Sequence, residues 1–470
     1  MRKMFRRKMF RQTIFLVVFS AVLLGLSLDD AQASGVKTYR GKFSDGAKYL
    51  IQVPSKWNGT LVLYSHGYVV PGSSNPAEDV GDPITGGYLL ANGYALGGSS
   101  YATTGWAFQQ AVPDQIKVLD TFKTLVGAPS RTIAWGHSLG GMVTAGLVQL
   151  YPERFDAALP MCGVVAGSVG TWNQALDSAF AFDVLLGSGS GLQLVNIKDP
   201  VKNVTIAEEI LSAAQEKAQG KARIALTAAL DDTPGWYDPL SPEPSPTDYA
   251  AQEKNQYLWL ANIDFPFAFD LRAELEGRAG GNGSWNNGID YRTQLKNSVD
   301  YAEVQALYQK AGLSLDTDLQ ALSDAARIKA KQSALNYLEQ NIIFNGKIPI
   351  PVLTLHTKGD GLVVVEDETA YKDVVDREND GALLRDLFVH RAGHCEFTPA
   401  ETVVAFGALI SRLDTGKWPA LGANKLNEAA KGLGSKFNVL SVDGKNVHVA
   451  PAYFKFQPAE FLRPFDAGKD

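Results

Sequence analysis

Cysteine is nearly absent: the 470 residues hold two, Cys162 and Cys395. That excludes a Cys-rich zinc site and the disulfide-dense scaffolds of small exported domains. Histidine is sparse too, at His66, His137, His356, His390, His394 and His448. Past the first eleven residues there is no Lys/Arg run, no internal repeat and no long low-complexity stretch. Acidic residues outnumber basic ones, 50 to 44, for a formal net charge of −6. A nucleic-acid or anionic-membrane partner is therefore not expected.

Only one long apolar run exists, at 14–28, too short to span a bilayer comfortably. Arg2, Lys3, Arg6, Arg7, Lys8 and Arg11 precede it, and the small residues Ala31 and Ala33 follow it. A basic block, an apolar run and small residues at the cleavage positions make a secretory signal over 1–33. The chain is thus expected to be extracellular and to start near Ser34, with a retained N-terminal anchor as the alternative. Removing 1–33 takes away six basic and two acidic residues, which leaves 38 against 48, a net charge of −10. No membrane association is expected once the signal is gone.

What is present is alternation. Residues 48–53 and 61–65 read as strands, 84–92 as a helix, 94–96 as a strand and 113–126 as a helix with Pro113 in its first turn. Residues 131–135 read as a strand, 140–151 as a helix and 157–161 as a strand. Alternating strands and helices predict an α/β fold: a doubly wound, mostly parallel sheet covered on both faces. The core's first part then runs over 34–162. From 163 to 347 helical signals replace the alternation, which predicts a large inserted helical cap. Within it, Thr205 and Glu208 suggest a capping box and Gly220 a helix end, and 317–340 reads as one long helical stretch. The second part of the core spans 348–415, with a strand at 351–355, a helix near 367–375, a strand at 384–389 and a helix at 399–413. The tail, 416–470, has strand-like pieces at 439–442 and 447–450 and no evident place.

Gly136-His137-Ser138-Leu139-Gly140 fits G-x-S-x-G. Such a short pattern is weak alone, but here it joins a predicted strand to a predicted helix. A serine nucleophile needs that arrangement, since the tight turn lifts it above the sheet at a helix N-terminus. On these residues the chain resembles the α/β-hydrolase superfamily over about 48–162 and 349–415. The resemblance implies an acid and then a histidine later in the chain, and no cofactor or metal. His394, after Gly393, is placed as the base; His390 lies nearer the strand end and reads as structural. Asp360, in Lys358-Gly359-Asp360-Gly361, is placed as the acid, with Asp367 and Glu366 as weaker alternatives. His66-Gly67-Tyr68 follows a strand where the family carries its oxyanion segment, which assigns that role to the N–H groups of Tyr68 and Leu139.

Cys395 directly follows His394, and Cys162 ends a strand at the same edge, so a Cys162–Cys395 bridge would pin the histidine loop; two buried thiols are the alternative. Tannases and fungal feruloyl esterases are similar in tying the histidine's neighbour by a disulfide. In them the other cysteine precedes the serine, where this chain has His137. Tyr101 and Trp106 are candidate pocket residues. Cap aromatics such as Trp172, Trp236, Trp259 and Trp285 read mostly as packing. The resulting expectation is a serine esterase acting on a small-molecule or polymer-derived ester. A peptidase or acyltransferase on the same site is the alternative, and a non-catalytic binding module a remoter one.

Overall fold

A computed structural model describes residues 35–442 and 444–465. The expected signal segment, 1–33, lies outside the described residues. β1 (Val36–Lys42) and β2 (Lys48–Pro54) open the chain as an antiparallel pair. Strands and helices then alternate: β3 (Thr60–Ser65), α1 (Pro83–Ala91), β4 (Ala95–Ser99), α2 (Phe108–Leu125), β5 (Arg131–His137), α3 (Leu139–Leu150) and β6 (Ala157–Met161).

Nine helices follow before the sheet resumes: α4 (Gly167–Phe182), α5 (Pro200–Gln215), α6 (Ala218–Ala229), α7 (Tyr249–Trp259), α8 (Arg272–Ala279), α9 (Tyr291–Asn297), α10 (Tyr301–Ala311), α11 (Leu315–Asp324) and α12 (Gln332–Gln340). The sheet returns with β7 (Val352–Gly359), α13 (Asp367–Arg377) and β8 (Leu384–Ala392), then α14 (Pro399–Thr415) and α15 (Ala423–Gly432). Last come a hairpin, β9 (Val439–Val442) with β10 (Lys445–His448), and β11 (Tyr453–Phe454).

The main sheet has nine strands in the order β1-β2-β4-β3-β5-β6-β7-β8-β11. From β4 to β8 every pairing is parallel, while the three outer pairings are antiparallel. The central strands are buried on both faces, which is why they read as continuous apolar runs. In β3, Leu61 and Leu63 enter the apolar layer under α2 and α3, while Val62 and Tyr64 enter the opposite layer under α14. The inserted helices carry two apolar clusters of their own. One is built around Leu226, Tyr291 and Tyr308, the other around Phe182, Phe265 and Phe269.

Several elements depart from the sequence reading. α2 starts five residues before Pro113, which sits inside the helix, where its missing N–H leaves one backbone bond unmade. Thr205 caps nothing. It lies inside α5 with its hydroxyl donating to Val201 O (2.8 Å), and the true cap is Asp199, ahead of Pro200. Gly220 lies in the first turn of α6, where a Cβ would stand 2.0 Å from Ala214 O, so close backbone approach explains this glycine. The long stretch at 317–340 is two helices, α11 and α12. The segment between them is held away from helical geometry by long-range bonds: Ile328 N–H to Asn286 Oδ1 (2.7 Å) and Lys331 N–H to Asn282 O (2.7 Å). The tail finds its place by adding β11 to the sheet edge beside β8 and carrying the chain on to Phe461 and Arg463, both buried.

Candidate active site

Ser138 joins β5 to α3 with φ 58° and ψ −127°, a conformation a non-glycine residue holds only when its surroundings impose it. The glycines of the motif explain how. A Cβ on Gly136 would sit 2.5 Å from Gly140 O, and one on Gly140 would sit 2.0 Å from Ser65 O. Only bare backbone lets β3, the turn and α3 pass so closely. Leu139 heads α3, so its N–H has no intrahelical acceptor and points out with the positive end of the helix. The His66-Gly67 loop runs beside the serine: a Cβ on Gly67 would lie 3.8 Å from Ser138 Oγ. Tyr68 follows on that loop and lines the same cavity as Ser138 and Leu139.

Asp360 stands directly past the end of β7 and is fully buried. Its Oδ1 accepts from the N–H groups of Leu362 (3.0 Å) and Val363 (3.1 Å), and its Oδ2 lies 2.7 Å from His394 Nδ1. Burial by itself would raise this carboxyl; the imidazoles of His394 and His356 outweigh it and hold Asp360 below its ordinary range. The other two acids considered do not reach His394. Asp367 Oδ2 accepts from Ala166 N–H (3.1 Å), and burial pushes the group up to about 8. Burial likewise pushes Glu366 up to about 7. His390 turns outward, 2.7 Å from Glu243 Oε2.

The His394 loop is pinned on several sides. Gly393 N–H donates to Gly359 O (2.9 Å), and Thr357 Oγ1 donates to Gly393 O (2.6 Å). Cys395 is bonded to Cys162, with Cα atoms 5.4 Å apart. Cys162 follows Met161, whose carbonyl accepts the Ser138 N–H (3.0 Å). The disulfide therefore ties the histidine loop to the strand end beside the Ser138 turn. His394 Nε2 rests 3.4 Å from Cys395 Sγ, and no hydrogen bond joins it to Ser138 Oγ. In an unliganded site such bonds are often long and tighten around substrate. Ligand atoms of Cys162, His394 and Cys395 also cluster as a metal site would, but the two sulfurs are spent on each other.

Ser138 opens into a cavity of about 70 Å³ walled by Tyr68, Trp106, Trp172, Phe267, Phe461 and the 361–364 turn. A larger cleft of about 710 Å³ lies between Val165–Val169, Ile342–Phe344 and α13, and neither Ser138, His394 nor Asp360 lines it. The smaller cavity is the one in contact with the serine. Trp106 is on its wall, with Nε1 donating to Ser168 Oγ (2.9 Å). Tyr101 is not. It is buried under the loop, stacked on His66 at 3.9 Å with its hydroxyl donating to His66 O (3.0 Å), so it braces the loop instead of facing the pocket. Burial lowers the His66 imidazole and lowers that of His137 to about 4, so both stay neutral near pH 7.

Sequence reasoning missed five contributors. Phe461 comes from the tail, and its Arg463 neighbour is paired with the buried Asp177. Phe267 and Asp264 come from π-helical turns of the cap at Phe267–Leu271 and Leu260–Asp264. Burial pushes the Asp231 carboxyl on the same wall up to about 8, and burial with Asp231 and Asp360 raises Asp264 well above its ordinary value. His356 lies behind Asp360, fully buried. A histidine in the middle of an apolar strand was the available signal, because a buried imidazole needs partners.

Comparison with known proteins gives three kinds of likeness. Residues 98–175, which contain the Ser138 turn, match the prolyl oligopeptidase family. The o-phthalyl amidase of Xanthobacter agilis is 29% identical over 437 residues, covering 86% of this chain and 94% of that one. Among solved structures, an esterase from Aspergillus oryzae aligns over 82% of this chain and 80% of its own, with 16% identity and a TM-score of 0.42. Feruloyl esterase B from the same organism aligns over 82% and 81%, with 14% identity and a TM-score of 0.38.

Proposed function

We infer that this chain, an α/β-hydrolase by fold, is an exported serine hydrolase that cleaves carboxylic esters through an acyl-enzyme. The observation that carries the reading is the 2.7 Å His394–Asp360 bond, on a loop bridged by a disulfide to the end of β6, next to Ser138. Serine is a weak nucleophile until a base takes its proton. His394 Nε2 is that base: its Nδ1 proton is fixed on Asp360, which leaves Nε2 as the acceptor. Attack by Ser138 Oγ on the substrate carbonyl makes an oxyanion, and the N–H groups of Tyr68 and Leu139 receive it, each worth about 2.7–4 kcal/mol. His394 then protonates the leaving alcohol, and water, deprotonated by the same imidazole, releases the acid.

The cavity's aromatic wall suits a compact apolar or aromatic acyl group. A second reading, amide hydrolysis, is favoured by one observation: the relative that matches most of the chain is an o-phthalyl amidase. Esters and anilides that share one acyl group separate the two by their kcat/KM ratio. An exported chain also fits the bridge, since disulfides persist outside the reducing cytosol. The test of the mechanism is Ser138→Ala. Hydrolysis of a short p-nitrophenyl ester should fall by about 10⁶-fold with the Tm unchanged. Turnover within tenfold of the parent protein would remove Ser138 from the reaction.

A further inference from the structure

His356 lies in the middle of β7, with Thr354 on the same face, and none of its side chain reaches solvent. Its Nδ1 is 2.8 Å from Glu368 Oε1. Its Nε2 is 2.9 Å from Val363 O and 3.4 Å from Asp360 Oδ2. Every one of these neighbours is an acceptor. A neutral imidazole has one N–H and one lone pair, so in either tautomer a lone pair would face an oxygen. With both carboxylates ionised, only the doubly protonated ring satisfies both sides. Burial by itself would lower this imidazole; the Asp360 and Glu368 carboxylates outweigh it and raise His356 well above its ordinary value. Val363 closes the arrangement, since its N–H donates to Asp360 Oδ1 while its carbonyl accepts from His356.

We propose that His356 is a positioning residue of the hydrolase: an imidazolium seated between Asp360 and Glu368, it fixes the Asp360 carboxylate against His394 and sets the pH at which that pair becomes a working base. The proposal rests on the reading that the pair serves Ser138. Its logic is electrostatic. A positive charge behind Asp360 opposes a second positive charge on His394, so the charge on His356 bears directly on the imidazolium that forms there during the reaction. The same ring holds the 360–363 turn, whose residues wall the cavity. Other charges face the group as well. Glu366 and Asp367, at the start of α13, act on His356, and Asp386 on β8 acts on Glu368 from the far side. Burial pushes these three up to about 7, 8 and 7, so they carry little charge at mildly acid pH. Asp264 from the cap and Glu396 on the histidine loop face Asp360, both raised by burial, and His137, lowered by burial to about 4, faces His394.

The test removes the buried charges together, because a single replacement would strand its partner. In His356→Gln/Glu368→Gln, the acid limb of the kcat/KM profile should move to higher pH by about one unit at most, because the lost Glu368 charge partly offsets the lost and nearer His356 charge, with KM changed less than about twofold. An acid limb that stays in place, whether or not activity drops uniformly, overturns the proposal. Should the double variant not fold, histidine ¹⁵N NMR of the unaltered protein decides. Two ring N–H signals for His356 at pH 8 support the proposal, and a neutral ring refutes it. Fluorophosphonate labelling separates this from the reading beneath it. An unlabelled Ser138 in the parent protein brings down both, whereas a labelled Ser138 with an unmoved acid limb brings down only the role of His356.

Discussion

Replacing Asp360 with Asn changes one atom and tests the site's hydrogen-bond logic. In the parent protein Oδ1 accepts two backbone N–H groups, from Leu362 and Val363, while Oδ2 faces His394 Nδ1 and His356 Nε2. The asparagine carbonyl must take the Oδ1 place, because the amide NH2 cannot accept from two donors. The NH2 then faces His394 Nδ1, which must give up its proton and move it to Nε2. That tautomer cannot take a proton from Ser138. The flipped amide would restore the tautomer but leave two buried N–H groups unpaired, at about 1–3 kcal/mol each. The active arrangement is thus disfavoured by about 2–6 kcal/mol, or ~30-fold to ~10⁴-fold. Losing the negative charge that stabilises the imidazolium drives the effect toward the upper end, about 10⁴-fold in kcat. The assay is steady-state hydrolysis of p-nitrophenyl acetate, with a thermal melt as the folding control. A folded Asp360→Asn protein that keeps kcat within tenfold would show that Asp360 does not set the His394 tautomer.

Two further outcomes follow from the same coordinates. Cys162→Ser/Cys395→Ser opens a loop whose ends are 233 residues apart, a chain-entropy loss of ~5 kcal/mol at most. Melting should come at lower temperature and kcat should fall as the Gly393–His394 loop loosens; an equally active, equally stable variant would show the bridge to be idle. Stability should also fall as pH rises. Burial pushes Asp231 and Asp367 up to about 8, Asp300 to about 7 and Glu303 to about 9. Their folded values lie above their unfolded ones, so between about pH 4 and 8 the unfolded chain binds fewer protons and gains relative to the native state. Tm should therefore be several degrees lower at pH 8 than at pH 5, and a Tm that rises across that interval would contradict the assigned directions.

The local parts of the site were legible before any coordinates. Gly136-His137-Ser138-Leu139-Gly140 joins β5 to α3, Asp360 directly follows β7, and Gly393-His394 directly follows β8. These are matters of chain order and turn chemistry, which a linear reading can reach. The same reading failed where a local pattern had a remote cause. Gly220 signalled a helix end, yet its lack of a side chain serves the approach of Ala214. Tyr101 looked like a pocket residue, yet its hydroxyl is committed to His66.

By itself the sequence determined the doubly wound sheet and the inserted helices, because periodicity and glycine-relieved turns are properties of neighbouring residues; the order of serine, acid and histidine came from the family resemblance. Only the tertiary structure decided that Glu368 and Asp360 close on His356 and that Phe461 from the tail walls the cavity. Each of those contacts depends on which buried groups must find partners once the chain is packed. No local pattern encodes that requirement, since an unpaired charge or polar atom carries its cost only after water has been excluded.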